Sequence, residues 1–177
     1  AGGSLHAVIG ILAAVVQRQA SGRGQLVDIG MTDCAFALNA MAGAAALAGG
    51  VDAQPEATLL NGGSFYDYYR TADDRYLAVG SLEPQFMQAL AQAIGQPQIA
   101  GLGLAQDAAT QAQLKQTLRD ALSRKTLAEW QTVFAGVDAC VEPVLSLSEA
   151  ALQPHAQARN WVVQVPVPGG SSQAQTA

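Results

Sequence analysis

Two apolar helical patterns frame the first third of the chain. Apolar residues recur every three or four positions over residues 4–20, which predicts a helix that begins at an N-cap Ser4 and ends at Gly22. The mostly apolar residues 26–31 follow this glycine turn and predict a short buried strand. Asp28 interrupts that strand and is therefore the first polar residue that needs an explanation.

A second, Ala-rich helix is predicted from Thr32 or Asp33 to about Leu47, with either of the first two residues as its cap. A carboxylate inside an apolar strand is costly to bury unpaired, so Asp28 is expected to be hydrogen-bonded or to face a cleft where the strand ends. Two roles of Asp28 stay open at this point: a structural cap of the next helix and a reactive carboxylate. Asp33 is the better candidate for capping.

The pattern changes at about residue 59, where aromatic residues become frequent. Two strand candidates at 64–71 and 76–81 are joined by Ala-Asp-Asp, which predicts a β-hairpin. Thr126 and Glu129 stand at the spacing of a capping box. Helices are predicted at 83–95, 107–125 and 126–136.

The last segments are shorter. Residues 139–151 predict a strand, a turn at Pro143 and a short helix, and His155 is placed in a loop. Pro166 and Pro168 favour an edge strand before them, and the polar end of the chain carries no structural pattern. These elements predict an α/β domain piece over 1–58, a small α+β domain over 59–150, and a linker and tail over 151–177.

Composition narrows the class of protein. Half of the 177 residues are hydrophobic and the net charge is −5, so a core can form and a nucleic-acid surface is not expected. The apolar run at residues 6–16 is too short to span a membrane. Cys34 and Cys140 lack metal-ligand spacing, so reduced cytoplasmic thiols are expected, with Cys140 buried and inert in its apolar strand, and no metal is expected.

Other candidates are weaker. Gly62 and Gly63 could allow close approach of a phosphate or a thioester, although a plain turn is favoured. Glu83 stands at a helix start, where capping is the expected role. His6 and His155 suggest no nucleophile–base pair, and each alone is expected to be structural.

Three segments together resemble the CaiB/BaiF family, the class III CoA-transferases, on the side of its α-methylacyl-CoA racemases. They are GILAAVVQRQASGRGQLVDIGMTD at 10–33, LNGGSFYDYYRTADDRYLAVGSLEPQF at 60–86, and DACVEPVLSLSEA at 138–150. The resemblance implies part of a Rossmann-like large domain followed by a small α+β domain, in an interlocked dimer. It implies acyl-CoA thioester substrates, with coenzyme A entering as part of the substrate and no separate cofactor.

The same resemblance makes Asp28 the catalytic carboxylate, because it is the Asp of the Val-Asp motif. In racemases this residue exchanges the proton α to the thioester carbonyl, whereas in transferases it forms an aspartyl-CoA intermediate. The racemase reaction is favoured, CoA transfer is the alternative, and a truncated non-catalytic dimerisation module is a third hypothesis. Fatty acid metabolism is the expected setting.

Several departures from the family pattern matter. The partner His of racemases would lie upstream of residue 1, Gln113 stands where a supporting Glu is usual, and Asn61 stands where Asp is frequent. Both ends look cut, so the chain is expected to be a fragment that is inactive alone.

Overall fold

The computed structural model describes residues 1–60 and 62–177. The chain divides into two compact units, Ala1–Pro55 and Glu56–Ala177.

The first unit consists of three helices: α1 (Gly2–Ser21), α2 (Met31–Leu38) and α3 (Ala40–Leu47). Helix α1 begins at N-cap Ala1, three residues before the predicted Ser4, and it ends as predicted at Gly22, whose φ is 70°. The N–H of Gly22 donates to the carbonyl of Arg18, which closes the last turn. Within this unit α1 packs against α2 and buries no residue fully.

The predicted strand at 26–31 is wrong. Residues 22–30 run from α1 to α2 without a ladder partner, and the side chain of Leu26 is 93% exposed. The apolar pattern correctly suggested extended backbone at Gly30, whose φ and ψ are −73° and 128°. A strand also requires a neighbouring strand, and residues 1–55 form only helices and loops.

The predicted second helix is divided at Asn39. The Asn39 side chain donates to the carbonyl of Ala35 at 3.1 Å, and its backbone N–H bonds to Phe36 instead of continuing the helical ladder. Thr32 and Asp33 do not cap α2, because Gly30 is its N-cap and no side chain bonds there. Asp33 instead lies in the first turn of α2, where its charge is favourable to the helix dipole.

The second unit is built on a three-stranded antiparallel sheet in the order β1-β2-β3: β1 (Asp67–Arg70), β2 (Tyr76–Val79) and β3 (Val141–Pro143). The predicted hairpin is confirmed, with strands shorter than expected. Asp74 adopts φ 60° in the turn, which an Asp tolerates better than most residues.

Helices cover this sheet and build the core. They are α4 (Pro84–Ala93), a 3₁₀ turn (Pro97–Ile99), α5 (Ala108–Leu122) and α6 (Leu127–Phe134), so each predicted helix is present. The core unites α4, α5 and α6 with the inner sheet face through Phe65, Tyr69, Leu77, Val79, Met87, Leu90, Leu114, Leu118, Leu122 and Trp130. Burial raises the pKa of Tyr69, whose hydroxyl donates to the carbonyl of Phe65 at 2.6 Å.

The C-terminal segment carries α7 (Leu147–Ala151), α8 (Pro154–Ala158), β4 (Val162–Pro166) and β5 (Ser172–Thr176). His155 therefore lies in a helix, not in the predicted loop. The polar tail is also more ordered than expected, because β5 pairs antiparallel with β4. Gly169 and Gly170 adopt φ 102° and 82°, and this turn reverses the chain where the sequence pattern indicated only an edge strand.

Two capping boxes begin helices in this unit. The predicted box of Thr126 and Glu129 is confirmed, and a second joins Ser146 and Glu149 at the start of α7. Both Glu149 oxygens also accept from the Arg75 guanidinium, at 2.8 and 3.1 Å. The backbone N–H of Ser146, the Arg75 side chain and the Ser146 hydroxyl lower the pKa of Glu149 to about 2.

Glu149→Gln is expected to remove a pH-dependent part of the stability of this chain. The folded pKa lies below the unfolded value, so the carboxylate stabilises the fold above about pH 4.5 and loses this effect as the pH falls toward 2. Denaturant midpoints of wild type and variant should differ at pH 7 and converge as the pH approaches 2. Glu142→Gln, on β3 outside the capping box, is the control. A constant wild-type-to-variant difference across this pH range would contradict the assignment.

Candidate functional site

Asp28 lies in the first unit, on the exposed side of the segment that joins α1 to α2. Its neighbours Val27 and Ile29 face α1, since a Cβ on Gly10 would come within 2.9 and 3.1 Å of their side chains. Alternation along extended backbone therefore leaves Asp28 away from α1, two residues before the N-cap of α2. The carboxylate is accessible to a ligand in this chain.

The Gly62–Gly63 turn belongs to the second unit and is held tightly. Gly62 has φ 97°, and a Cβ on Gly63 would lie 2.7 Å from the carbonyl carbon of Ala57. The N–H of Gly63 donates to the carbonyl of Thr58 at 3.0 Å. Both positions thus require glycine, the first for its conformation and the second for close approach of backbone. The neighbouring Asn61, which stands where the family pattern often has Asp, lies outside the described residues.

Helix α5 supports this turn with two side chains, four residues apart on one face. Gln111 is buried and accepts from the N–H of Phe65 at 3.0 Å, while its amide donates to the carbonyls of Gly103 and Ala105. Lys115 donates to the carbonyl of Gly62 at 2.8 Å and forms an ion pair with Asp67 at 2.8 Å. The turn is therefore fixed from α5 at both of its ends.

A cavity of about 790 Å³ opens beside the turn, within the second unit. Apolar, aromatic and charged residues line it together: Glu56, Leu60, Gly62, Tyr66, Asp67, Tyr68, Ala78, Val79, Gly80, Lys115, Arg119, Cys140 and Glu142. Burial acts to raise the pKa of Asp67, but hydrogen bonds from Lys115 and from the N–H of Tyr68 outweigh it, and the pKa lies below its usual value. The volume is in the range of small-molecule pockets.

Cys140 contradicts its prediction, because its thiol is exposed at this cavity. The residue adopts φ 50° just before β3, so the chain turns its side chain outward, and the buried strand begins only at Val141. Partial desolvation and the nearby carboxylates of Asp138, Glu83 and Glu142 raise the pKa of the Cys140 thiol. The thiol is accessible but mostly protonated at neutral pH.

The remaining candidates have structural positions. Glu83 stands at the start of α4 as predicted, but the predicted capping role is wrong, because its side chain makes no capping bond. His6 bonds to the carbonyl of Gly2 within α1, and His155 stacks edge-on against Trp161. In the parts of the chain that the structure describes, no cluster of three His, Cys, Asp or Glu residues forms a metal site. No described helix combines the length and apolar character needed to cross a membrane.

Comparison with known proteins places these features in a family. The family model described as CoA-transferase family III matches residues 1–177. The chain belongs to CoA-transferase family III. Human and mouse α-methylacyl-CoA racemases are 35% and 36% identical to it, over 90% and 89% of the chain. A succinyl-CoA–D-citramalate CoA-transferase of Chloroflexus aurantiacus is 36% identical over 53% of the chain.

Solved structures confirm the fold of this family III chain. A CaiB/BaiF family protein from Brucella suis matches with a TM-score of 0.70 at 17% identity, over 99% of this chain and 50% of that one. A Mycobacterium tuberculosis protein in an orthorhombic crystal form matches with a TM-score of 0.68 at 22% identity, over 94% and 44%. The chain spans 42% of the length of the racemases it matches. The predicted family is confirmed, and its mixed α/β fold is confirmed over the part that this chain covers.

The predicted site residues are divided between the two units. Asp28 belongs to the first unit, and Gly62 and Gly63 belong to the second. Lys115 and Arg119 of the cavity wall were missed by sequence reasoning. Gln111, Lys115 and Arg119 follow one another at four-residue intervals, which marks one helix face and could have suggested a common role, but a polar helix face is usually only solvated.

Proposed function

We propose that this chain is part of an enzyme that acts on acyl-CoA thioesters and exchanges the proton α to the thioester carbonyl. The observation that carries the proposal is the match to two α-methylacyl-CoA racemases over about nine-tenths of the chain. The proposal concerns the whole protein, because this chain corresponds to less than half of those relatives.

Asp28 is proposed as one of the two groups that move the α-proton. Its accessible carboxylate can accept a proton on one face of the α-carbon, provided that a second group returns a proton on the other face. The enolate between the two steps must be stabilised by donors aimed at the thioester oxygen. The chain spans 42% of the length of the racemases it matches, and we propose that the second group lies in the part of the protein that it does not cover, so we expect this chain alone to be inactive.

Gly62 and Gly63 are proposed to contact the substrate. Gly62 lines the cavity of the second unit at φ 97°, and the close packing of Gly63 against Ala57 and Thr58 fixes the turn beside it. Coenzyme A enters as part of the thioester, and no separate cofactor is proposed.

CoA transfer is the second candidate, and similarity to CoA-transferases favours it. Succinyl-CoA–L-malate CoA-transferase α subunit of Chloroflexus aurantiacus is 31% identical over 55% of the chain. In that reaction Asp28 attacks the thioester carbonyl and forms a mixed anhydride as CoA thiolate leaves. The thiolate then attacks the aspartyl carbonyl and releases the carboxylate product, which leaves an aspartyl-CoA thioester for the acceptor acid.

The organisation of the whole protein is proposed along the family pattern. Residues 1–58 would be the C-terminal part of a Rossmann-like large domain, 59–150 a small α+β domain, and 151–177 a segment that returns to the large domain. We further propose that the whole protein is a homodimer in the cytoplasm and acts in fatty acid metabolism.

The deciding experiment follows the α-hydrogen of a 2-methylacyl-CoA in deuterated water, using the full-length protein. We expect deuterium at the α-carbon and equal amounts of both epimers at equilibrium. Absence of α-exchange together with transfer of CoA to a free acid would refute the racemase proposal in favour of CoA transfer. Absence of both reactions would refute the acyl-CoA proposal.

A further inference from the structure

The wall formed by α5 contains a lysine whose bonds serve the glycine turn. Lys115 lies between Gln111 and Arg119 on one helix face, and its side chain is only 14% exposed. A lysine so covered loses hydration and rotamer freedom, and these losses are offset only where its ammonium has good partners. The partners here are the carbonyl of Gly62 and the carboxylate of Asp67, each at 2.8 Å.

The two contacts differ in what they can do. The ion pair with Asp67 is an ordinary salt bridge between a helix and a strand, because it joins α5 to the first residue of β1. The bond to Gly62 joins α5 to the backbone carbonyl of a turn residue at φ 97°, at the wall of the cavity. A hydrogen bond from a charged donor is stronger than one between neutral groups, so it restrains the carbonyl more firmly.

Gln111 holds the other end of the same segment independently. It accepts from the N–H of Phe65, three residues after Gly62, and it is fully satisfied by two further backbone carbonyls. Loss of Lys115 would therefore release the glycine end of the turn while the Phe65 end stays anchored. This difference makes the role of Lys115 measurable.

We propose that Lys115 is a positioning residue that holds the Gly62 carbonyl and so keeps the Gly62–Gly63 turn in the shape that receives the acyl-CoA substrate. The proposal rests on the proposed function, since it takes the turn as a substrate contact. Lys115 itself transfers no proton and touches no reacting atom. Its effect is to fix the turn before the substrate binds. Less conformational entropy of the turn is then lost when the substrate binds and reacts.

Amide hydrogen exchange of the 177-residue chain, measured by NMR, tests the restraint directly. In Lys115→Met, which keeps the apolar stem and removes the ammonium, we expect the Gly63 amide to exchange at least about tenfold faster, because the turn opens locally. The Phe65 amide should stay within about threefold of wild type because Gln111 still holds it. Lys115→Arg, which keeps the charge and donors, should restore most of the Gly63 protection.

Arg119→Met is the matched control for charge. Arg119 lies one turn further along α5 on the same cavity wall, and it acts on Asp67 only through the electric field. We expect this variant to leave Gly63 exchange near the wild-type rate. Equal acceleration in the Arg119 and Lys115 variants would mean that net charge, not the bond to Gly62, orders the turn, and would overturn the proposal.

Kinetics of the full-length protein test the link to substrate. For Lys115→Met we expect kcat/KM for α-proton exchange to fall about tenfold, because the released turn must be ordered when the substrate binds and reacts. Lys115→Arg should recover kcat/KM, which a mere loss of folded protein would not explain once activity is normalised to folded enzyme. An unchanged kcat/KM, or an unchanged Gly63 exchange rate, would overturn the positioning role. If the wild-type full-length protein shows no acyl-CoA chemistry, the proposed function fails, and the positioning role for that substrate fails with it even where the amide data show the restraint.

Discussion

Asp28→Asn in the full-length protein is expected to lower the rate of α-proton exchange by roughly 10²–10⁴-fold, the usual contribution of a positioned acid–base group. The amide has nearly the shape of the carboxylate but cannot accept the α-proton, so binding should change far less than kcat. If the protein transfers CoA instead, the loss should be at least as large, because an amide does not form the anhydride.

Stability should not explain that loss. Asp28 is exposed on the side of its segment away from α1, and exposed substitutions usually change stability by less than about 0.5 kcal/mol. The circular dichroism spectrum and thermal midpoint of the variant should therefore match wild type. A large drop in the midpoint would mean that Asp28 has a structural role in the full-length protein.

Asp33→Asn is the matched control, since it makes the same chemical change five residues later. Asp33 lies in the first turn of α2 and contributes there to helix electrostatics, so its variant should keep near wild-type kcat. Full activity in Asp28→Asn together with loss in Asp33→Asn would transfer the catalytic role to Asp33. Full activity in both variants would refute a carboxylate from this segment.

Local patterns predicted the second unit well because its elements are specified by nearby residues. The hairpin follows from strand-forming aromatics around a polar turn, and α6 follows from Thr126 and Glu129 at capping-box spacing. These bonds form within a few residues of chain, so the sequence alone contains the information. The helices downstream of the hairpin were predicted for the same reason.

Features that depend on distant partners were predicted poorly. Residues 26–31 have the composition of a strand, yet a ladder needs a second segment that no local pattern identifies. Cys140 was expected to be buried, but a backbone φ of 50° turns it outward, and single-residue conformations of this kind leave little trace in composition. The β5 strand formed from a polar tail because Gly169 and Gly170 brought it beside β4.

The candidate site shows the same division. Asp28 was singled out because a charged residue in an apolar run is visible along the chain, and the family resemblance then supplied a role. Lys115 was missed because its partner Gly62 is 53 residues away in sequence. Only folding brings a helix face and a glycine turn together. A residue with such a role is therefore identified from tertiary contacts and not from sequence motifs.

Trp130→Ala is expected to destabilise the chain by about 3–5 kcal/mol, the usual cost of emptying a large aromatic site in a core. The indole of Trp130 is 2% exposed, packs against Phe134 with ring centroids 5.7 Å apart, and donates to the carbonyl of Leu122 at 2.8 Å. It therefore joins α6 to the end of α5. Loss of the ring leaves a cavity and also an unsatisfied buried carbonyl.

Two further variants separate these contributions, measured as free energies of unfolding in urea. Trp130→Phe keeps most of the apolar contact but loses the N–H, so we expect a smaller loss of about 1–3 kcal/mol. Trp161→Phe is the control, because Trp161 is 47% exposed and its ring meets that of His155 edge-on. The chain has two tryptophans, so the same variant also leaves Trp130 as the sole indole reporter of unfolding. Equal stability of Trp130→Phe and Trp161→Phe would contradict the central position of Trp130, because the same indole-to-phenyl change should cost little at a half-exposed site.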